Sequence, residues 1–408
     1  MSSRLTRNKR LLITTTDQFA ASGRNFLLVF LLARGFSPEE LGIFFLAYAV
    51  FTLSVALARN AFGAILGMDI GRYNLQDSRV LLAHSLVGVL LISLLPTGSF
   101  LAMSTFMSKS SDISTALAVL SLSFPFAMWQ DLLRMETIAD GRPQLALTSD
   151  LLWLTICTAT FVASLSGAIS QSAVLGAFAW STGAVLSAIL LTILAKPPWP
   201  RITGFISWIK SDIRRYHLSL DAILGSAAPL INASLAGVIA TTSVVAAVKG
   251  AGTLFGPLNI LMTAAIISLV PEVKRNNGNG AKGLFRWALI GLIAISLLWG
   301  ISLSVLPESA GIVVLGSSWA LVQPLLLLTT LEYCGLALWT TAIAKMRSNN
   351  ATGLALKFRL AHASITALLP ALALYIWGSA VAFASALALI SLILGALGLG
   401  VVKKEASE

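Results

Sequence analysis

The sequence predicts an all-α polytopic membrane protein with twelve transmembrane helices in two six-helix lobes around a central cavity. The 408 residues are 57% hydrophobic and only 11% charged, and their mean hydropathy is +0.86. The apolar segments reach the roughly 20 residues that cross about 30 Å of hydrocarbon as a helix. In addition, 24 of the 28 Lys and Arg residues fall in alternate gaps between these segments. A soluble fold is excluded, because soluble chains carry about a quarter charged residues.

Twelve apolar segments define the predicted spans, and both ends of the chain carry basic residues. The spans are 11–33, 41–63, 80–103, 115–139, 144–166, 172–195, 218–240, 244–271, 284–306, 322–344, 353–376 and 379–402. Cytoplasmic loops retain Lys and Arg, so the charge pattern places both termini in the cytoplasm. Only Arg34, Lys109 and Lys249 fall on the opposite side. The net charge of +11 therefore reflects topology and contact with anionic lipid, and nucleic acid is not an expected partner.

The chain divides near its middle. We expect an N-terminal six-helix lobe at 1–195, a cytoplasmic amphipathic linker at 196–217, with Trp199 and Trp208 at headgroup depth, and a C-terminal six-helix lobe at 218–408. The two lobes resemble a repeat, since Asp17 in the first span aligns with Asp221 in the seventh. Each lobe has an even number of spans, so the repeats would share one orientation in the membrane.

Arg24 and Asp17 are ionisable residues inside the first predicted span. An arginine at the centre of a membrane costs roughly 2.5–3.5 kcal/mol on insertion scales, so it is rarely placed there without a role. The two residues are seven positions apart and share one helix face. Two interpretations stay open for Arg24: contact with a substrate, or an ion pair with another helix.

Arg59 and Lys249 lie inside the ends of the second and eighth spans. Both could bind an anionic substrate, or could extend to the membrane surface. Asn25 and Asn232 are candidate hydrogen-bonding residues for sugar groups, although small polar side chains also join helices. These four residues and Arg24 form the predicted substrate-binding set.

Acidic residues in the spans are candidates for ion coupling or ion pairing. Glu332 falls near the middle of the tenth span, whereas Asp221 is expected to anchor the start of the seventh. Asp17 completes this set. Asp131, Arg134 and Glu136 lie toward one end of the fourth span, and we expect them to form a solvated cluster.

The sequence contains no pattern that indicates an enzyme. There is no Walker motif, no Cys or His metal cluster and no GxSxG elbow. We therefore expect no catalytic residue, no metal site and no cofactor. Coupling to the membrane potential, Na⁺ or H⁺ stays open.

Two segments near the N-terminus carry a family resemblance. Asp17-Gln18-Phe19 precedes Leu31-Leu-Ala-Arg34-Gly-Phe-Ser-Pro-Glu-Glu-Leu-Gly42-Ile-Phe-Phe-Leu-Ala-Tyr48. This pattern resembles the opening of polysaccharide exporters, specifically the Wzx-type O-antigen flippases of the multidrug/oligosaccharidyl-lipid/polysaccharide exporter superfamily. The C-terminal counterpart at 240–243 lacks the Pro-Glu-Glu-Leu-Gly sequence, so the repeat is not symmetric at this turn.

The resemblance implies a function, a location and partners. It implies a monomeric flippase in the bacterial inner membrane that moves undecaprenyl-pyrophosphate-linked oligosaccharide by alternating access, with membrane lipid and glycan polymerase machinery as further partners. It also implies that basic residues such as Arg24, Arg59 and Lys249 face the cavity. A cation-coupled multidrug exporter of the same superfamily is the alternative. A membrane glycan polymerase or ligase is a weaker one, because the chain has no large outward loop.

Overall fold

The protein is an all-helical membrane protein in the computed structural model. The structure describes residues 2–36, 38–69, 75–107, 112–170, 172–239, 242–276, 278, 280–315 and 319–405. Within these ranges there is no β-strand, and ten helices are long and apolar enough to cross a membrane. The backbone divides into two compact units, Met1–Ala222 and Ile223–Glu408.

Unit 1 contains eight complete helices and the first part of a ninth. Its helices are α1 (Ser2–Gly35), α2 (Pro38–Ala58), α3 (Ala64–Met68), α4 (Leu75–Phe106), α5 (Asp112–Ala139), α6 (Pro143–Leu165), α7 (Ala173–Ala195) and α8 (Phe205–Lys210), followed by the start of α9 (Ile213–Ile239). A π-helical turn at Arg59–Gly63 joins α2 to α3 without a break. The predicted linker at 196–217 belongs entirely to this unit.

Unit 2 continues from α9 through the C-terminal helices. These are α10 (Thr242–Leu254), α11 (Gly256–Arg275), α12 (Ala281–Ser304), α13 (Glu308–Leu315), α14 (Trp319–Val322), α15 (Leu326–Ser348), α16 (Thr352–Trp377) and α17 (Ala380–Glu405). A 3₁₀ turn at Gln323–Leu325 connects α14 to α15.

The helices confirm that the chain is an all-α polytopic membrane protein, and one predicted span differs in detail. The span predicted at 244–271 is divided at Phe255 into α10 and α11. Pro257 lies in the first turn of α11, where its missing N–H leaves no helical hydrogen bond unmade. The first and seventh predicted spans correspond to α1 and α9, which are not among the ten helices that meet the length and hydropathy criteria.

Close helix packing in unit 2 depends on small residues. At Gly335 in α15, an added Cβ would overlap the backbone carbon of Ser391 in α17. At Gly395 in α17, it would lie 2.6 Å from the carbonyl oxygen of Gly335. Helices in membranes approach through such positions because lipid gives little hydrophobic drive for association.

The linker packs against unit 1 through Trp208 of α8. The Trp208 ring stacks on His84 at 5.1 Å between centroids, and the Arg215 guanidinium lies 3.7 Å from the Trp208 centroid. Trp208 is therefore a packing residue, whereas Trp199 is 92% exposed. The predicted amphipathic linker is not one continuous helix, since α8 ends at Lys210 and Ile213 begins α9.

Asp212 directly precedes α9 and, through Arg214, connects the linker to the rest of unit 1. Its carboxylate accepts hydrogen bonds from the backbone N–H and the side chain of Arg214, whose guanidinium also makes two 2.7 Å contacts with Asp69. Burial alone would raise the pKa of Asp212, but the hydrogen bonds from Arg214 lower it below the usual value. The start of α9 is thus held by Asp212 and not by Asp221.

Candidate functional site

Six ionisable residues form a charge network inside unit 1. α1 contributes Asp17 and Arg24, the π-helical turn contributes Arg59, α5 contributes Asp131 and Arg134, and α6 contributes Asp150. Three of these side chains are carboxylates and three are guanidinium groups, so their formal charges sum to zero. We call this set the charge network.

Arg134 is the central residue of the charge network. Its side chain is fully buried, and its Nε lies 3.2 Å from Oδ2 of Asp17. Its Nη1 lies 3.3 Å from Asp131 and 3.5 Å from Asp150. One guanidinium therefore contacts all three carboxylates, each from a different part of the sequence.

Arg24 is paired with Asp150. Nη1 of Arg24 donates to Oδ1 of Asp150, and the guanidinium lies 3.8 Å from the ring centroid of Trp153, one turn along α6. Arg24 is 4% exposed and Asp150 is fully buried. The ion-pair interpretation of Arg24 is thus the one that this geometry shows.

Polar neighbours fix Asp150 in place. Gln130 donates to Oδ1 of Asp150 and to the hydroxyl of Ser149, each at 2.8 Å. The Ser149 hydroxyl donates to the backbone carbonyl of Ser187 in α7, and the Ser187 hydroxyl donates to the backbone carbonyl of Ser149. Buried ionic groups are tolerated only with such additional partners, since the cost of removing two charges from water is several kcal/mol each.

Arg59 has a different environment from Arg24. Its Nε and Nη2 make two 2.7 Å hydrogen bonds with the two carboxylate oxygens of Asp131, and its side chain is 27% exposed. The side chain therefore holds a carboxylate while part of it remains accessible. Asn25, adjacent to Arg24, is half-buried.

Two expectations about acidic residues are wrong. Asp131 and Arg134 do not form a solvated cluster, because they are 6% and 0% exposed and face the interior of unit 1. Asp221 does not anchor the start of the seventh helix, because α9 already begins at Ile213 and Asp221 lies buried two turns later. Asp150 was missed, although a carboxylate in an apolar segment is a signal of the same kind as Asp17.

A pocket lies within unit 2, and its lining includes two of the predicted site residues. The pocket has a volume of about 650 Å³ and is bordered by α9, α10, α11, α15, α16 and α17. Asn232 of α9 and Glu332 of α15 both line it, although 100 residues separate them in the sequence. We call it the unit-2 pocket. The side chain of Lys249 lies outside the described part of the chain.

The polar lining of the unit-2 pocket is not internally satisfied. Within the described part of the chain, the Glu332 carboxylate has neither a hydrogen-bond partner nor an ion-pair partner. Oδ1 of Asn232 and Nε2 of His362 are buried and also lack one. By contrast, Asn259 donates a 2.8 Å hydrogen bond to the Tyr333 hydroxyl. Across the described ranges, no three His, Cys, Asp or Glu side chains form a group that could hold a metal ion.

The unit-2 pocket also has a positively charged residue in its lining. Arg359 and His362 of α16 line it, and both pack on Trp339 of α15. The Arg359 guanidinium lies 5.3 Å from the Trp339 centroid, and the His362 ring lies 4.5 Å from it. The pocket therefore combines a carboxylate, a guanidinium and neutral polar groups.

Comparison with solved structures identifies the fold. A MATE protein in a bent conformation is 13% identical over 99% of both chains, with a TM-score of 0.76. A transporter of the MOP superfamily from Pyrococcus furiosus is 12% identical over 98% of this chain and 95% of that chain, with a TM-score of 0.78. An outward-facing multidrug resistance MATE family transporter is 13% identical over 98% and 95%, with a TM-score of 0.77.

Sequence comparison adds no family assignment. No protein-family model matches the chain, and no curated protein sequence matches it. At 11–13% identity the solved structures establish the fold alone. The chain is thus a multi-pass membrane protein with the fold of the MATE and other MOP-superfamily transporters.

Proposed function

We propose that the chain is a flippase that moves undecaprenyl-pyrophosphate-linked oligosaccharide from the inner to the outer leaflet of the bacterial cytoplasmic membrane. The observation that carries the proposal is a transporter fold over nearly the whole chain, together with the exporter-like segment that joins α1 to α2. Most side chains of that segment between Ala33 and Gly42 lie outside the described residues. The fold supports a transport function, and the exporter-like segment supports a lipid-linked oligosaccharide as the substrate.

The mechanism that fits this proposal is alternating access driven in part by charge. Each unit charge that crosses 100 mV is worth about 2.3 kcal/mol, so an inside-negative potential favours outward movement of a pyrophosphate. Arg59 and Lys249 are the proposed pyrophosphate ligands, whereas Arg24 is buried against Asp150 in this structure. Guanidinium groups bind phosphate and carboxylate in the same two-pronged geometry, so Arg59 could exchange Asp131 for a phosphate.

Deletion and complementation test the proposal. In a bacterium that carries the gene, its deletion should abolish surface glycan and leave lipid-linked repeat units on the cytoplasmic side. The wild-type gene should restore display, whereas Arg59→Gln should not, at equal protein abundance. Arg79→Gln, which changes an exposed arginine at the start of α4, is the matched control and should restore display. Normal glycan display in the deletion strain would contradict the proposal.

One structural observation favours a second candidate, a cation-coupled multidrug exporter. Arg24 and Arg59 already have carboxylate partners, so neither is an unopposed positive charge that would repel a cationic drug. Asp17, Asp221 and Glu332 would then be candidate coupling residues. The deletion strain separates the two functions: increased sensitivity to cationic dyes and antibiotics, with normal surface glycan, would favour the exporter.

A further inference from the structure

The unit-2 pocket has the size of a ligand site. Pockets that hold small molecules measure about 300–1,000 Å³, whereas a single water occupies about 30 Å³. At about 650 Å³, the pocket is too large to be explained by one coordinated ion. It is also built entirely from helices of one unit, so its lining belongs to a single packed structure.

Unsatisfied polar atoms indicate that the pocket binds hydrogen-bonding groups. Leaving a buried donor or acceptor without a partner costs about 1–3 kcal/mol. Asn232 and His362 each have such an atom, and Glu332 adds a carboxylate without a described partner. Asn232, Glu332 and His362, from α9, α15 and α16, thus line one space without described hydrogen-bond partners for these atoms.

The mixture of charges selects the kind of ligand. An isolated phosphate would be repelled by Glu332, and a lipophilic cation would be repelled by Arg359, which lines the same pocket. An apolar molecule would leave the polar atoms unsatisfied. A hydroxyl group both donates and accepts a hydrogen bond, so a ligand rich in hydroxyls can pair with carboxylate, amide, imidazole and guanidinium together.

We propose that the unit-2 pocket binds one or two sugar rings. The inference rests on the proposed function, since it assigns the hydroxyl-rich part of the transported molecule to this pocket. Glu332 and Asn232 accept hydrogen bonds from ring hydroxyls, and Arg359 and His362 of α16 also line the pocket. Apolar side chains such as Leu336 and Phe383 cover the C–H faces of the rings.

Gly252 offers a way to fill the pocket without disturbing the helices. It lines the pocket from α10, and a Cβ added to it meets no atom within 4 Å. Gly252→Leu should therefore fold while its side chain occupies the space of a sugar. Gly98→Leu is the matched control, because Gly98 in α4 is also exposed, has no atom within 4 Å of an added Cβ and does not line this pocket.

Binding of simple saccharides to the purified protein in lipid nanodiscs tests the inference. Saturation-transfer NMR with methyl glucoside, methyl N-acetylglucosaminide and a disaccharide should give signals from the sugar ring protons. Gly252→Leu should abolish these signals. Glu332→Gln should weaken binding about fivefold, as expected for one lost hydrogen bond of about 1 kcal/mol. Gly98→Leu and Glu308→Gln, which changes an exposed glutamate, should bind as the wild type does.

Three results would overturn the sugar site. They are the absence of saccharide signals in the wild type, the same signals in Gly252→Leu, and displacement of the saccharides by tetraphenylphosphonium or pyrophosphate. The saccharide-binding experiment is independent of the glycan-display experiment. Normal display after gene deletion would reject the flippase function, whereas failure of saccharide binding with lost display would reject only the pocket assignment.

Discussion

At the scale of single residues, Asp150 is a counter-ion to two guanidinium groups of the charge network, because it contacts both Arg24 and Arg134. All three side chains are almost completely buried, so none can exchange its partner for water. Removing one member of a buried pair leaves an uncompensated charge, which costs more than the pair itself contributes.

Asp150→Asn is therefore expected to destabilise the protein by about 3–5 kcal/mol, the range for breaking a buried ion pair. Thermal unfolding of the purified protein in detergent measures the change. Asp112→Asn, at an exposed position in the first turn of α5, should leave the unfolding temperature unchanged.

A double variant distinguishes a lost charge from lost packing. If each single variant is destabilised mainly because it leaves a buried charge without its counter-ion, the double variant Arg24→Gln with Asp150→Asn should lose less free energy of unfolding than the two single variants added together. Strictly additive effects would show that the two side chains do not interact as the structure describes.

At the scale of helices, α8 is attached to unit 1 by the aromatic stack at Trp208. Phe62, His84 and Arg215 all lie against this indole. Arg214, in the first turn of α9, reinforces the same attachment through its hydrogen bonds with Asp69. The linker is consequently part of a packed unit.

Trp208→Ala should release α8 and expose the basic residues around it to protease. Limited trypsin digestion in nanodiscs should cut near Arg201 and Lys210 faster in this variant than in the wild type. Trp199→Ala removes an indole that is 92% exposed, so it serves as the control and should be cut at the wild-type rate. Equal cleavage of the two variants would contradict this packing role.

The contact between α15 and α17 should tolerate no side chain at Gly335. Gly335→Ala places a methyl group against the backbone of Ser391 and Leu392, which cannot rotate away. We expect a loss of about 1–3 kcal/mol or more from overpacking, measured as a lower unfolding temperature and reduced folded yield. Gly291→Ala, where an added Cβ meets nothing within 4 Å, should be neutral or slightly stabilising.

At the scale of the whole molecule, hydropathy predicted the helices well because a membrane span is a local property of about 20 residues. The span predicted at 172–195 corresponds to α7 at Ala173–Ala195. Packing between helices was not predictable in this way. Asp131 and Arg134 resemble a surface cluster in sequence, and only the arrangement of α1, α5 and α6 shows that they are buried.

The same limit applies to the candidate sites. Sequence reasoning selected Asn232 and Glu332 separately, since each is a polar residue in an apolar segment. Nothing in the local sequence indicates that they border one pocket. The partner of Arg24 was equally hidden, because it lies 126 positions away in Asp150.

The distribution of Lys and Arg predicts the orientation of the whole chain. With both termini in the cytoplasm, green fluorescent protein fused after Glu408 should fluoresce, and alkaline phosphatase fused there should be inactive. Alkaline phosphatase fused to a chain truncated after Lys109 should be active, because that loop is expected outside. The reverse pattern at either site would show that the orientation is wrong.

The equal number of acidic and basic groups in the charge network has an electrical consequence. Three carboxylates and three guanidinium groups that shift together through the membrane field perform no net electrical work, because their contributions cancel. If α1, α5, α6 and the π-helical turn that carries Arg59 moved as one body, the charge network would then contribute no dependence on voltage. Under the proposed function, any dependence of transport on membrane potential would have to come from charges outside this cluster, those of the lipid-linked substrate among them.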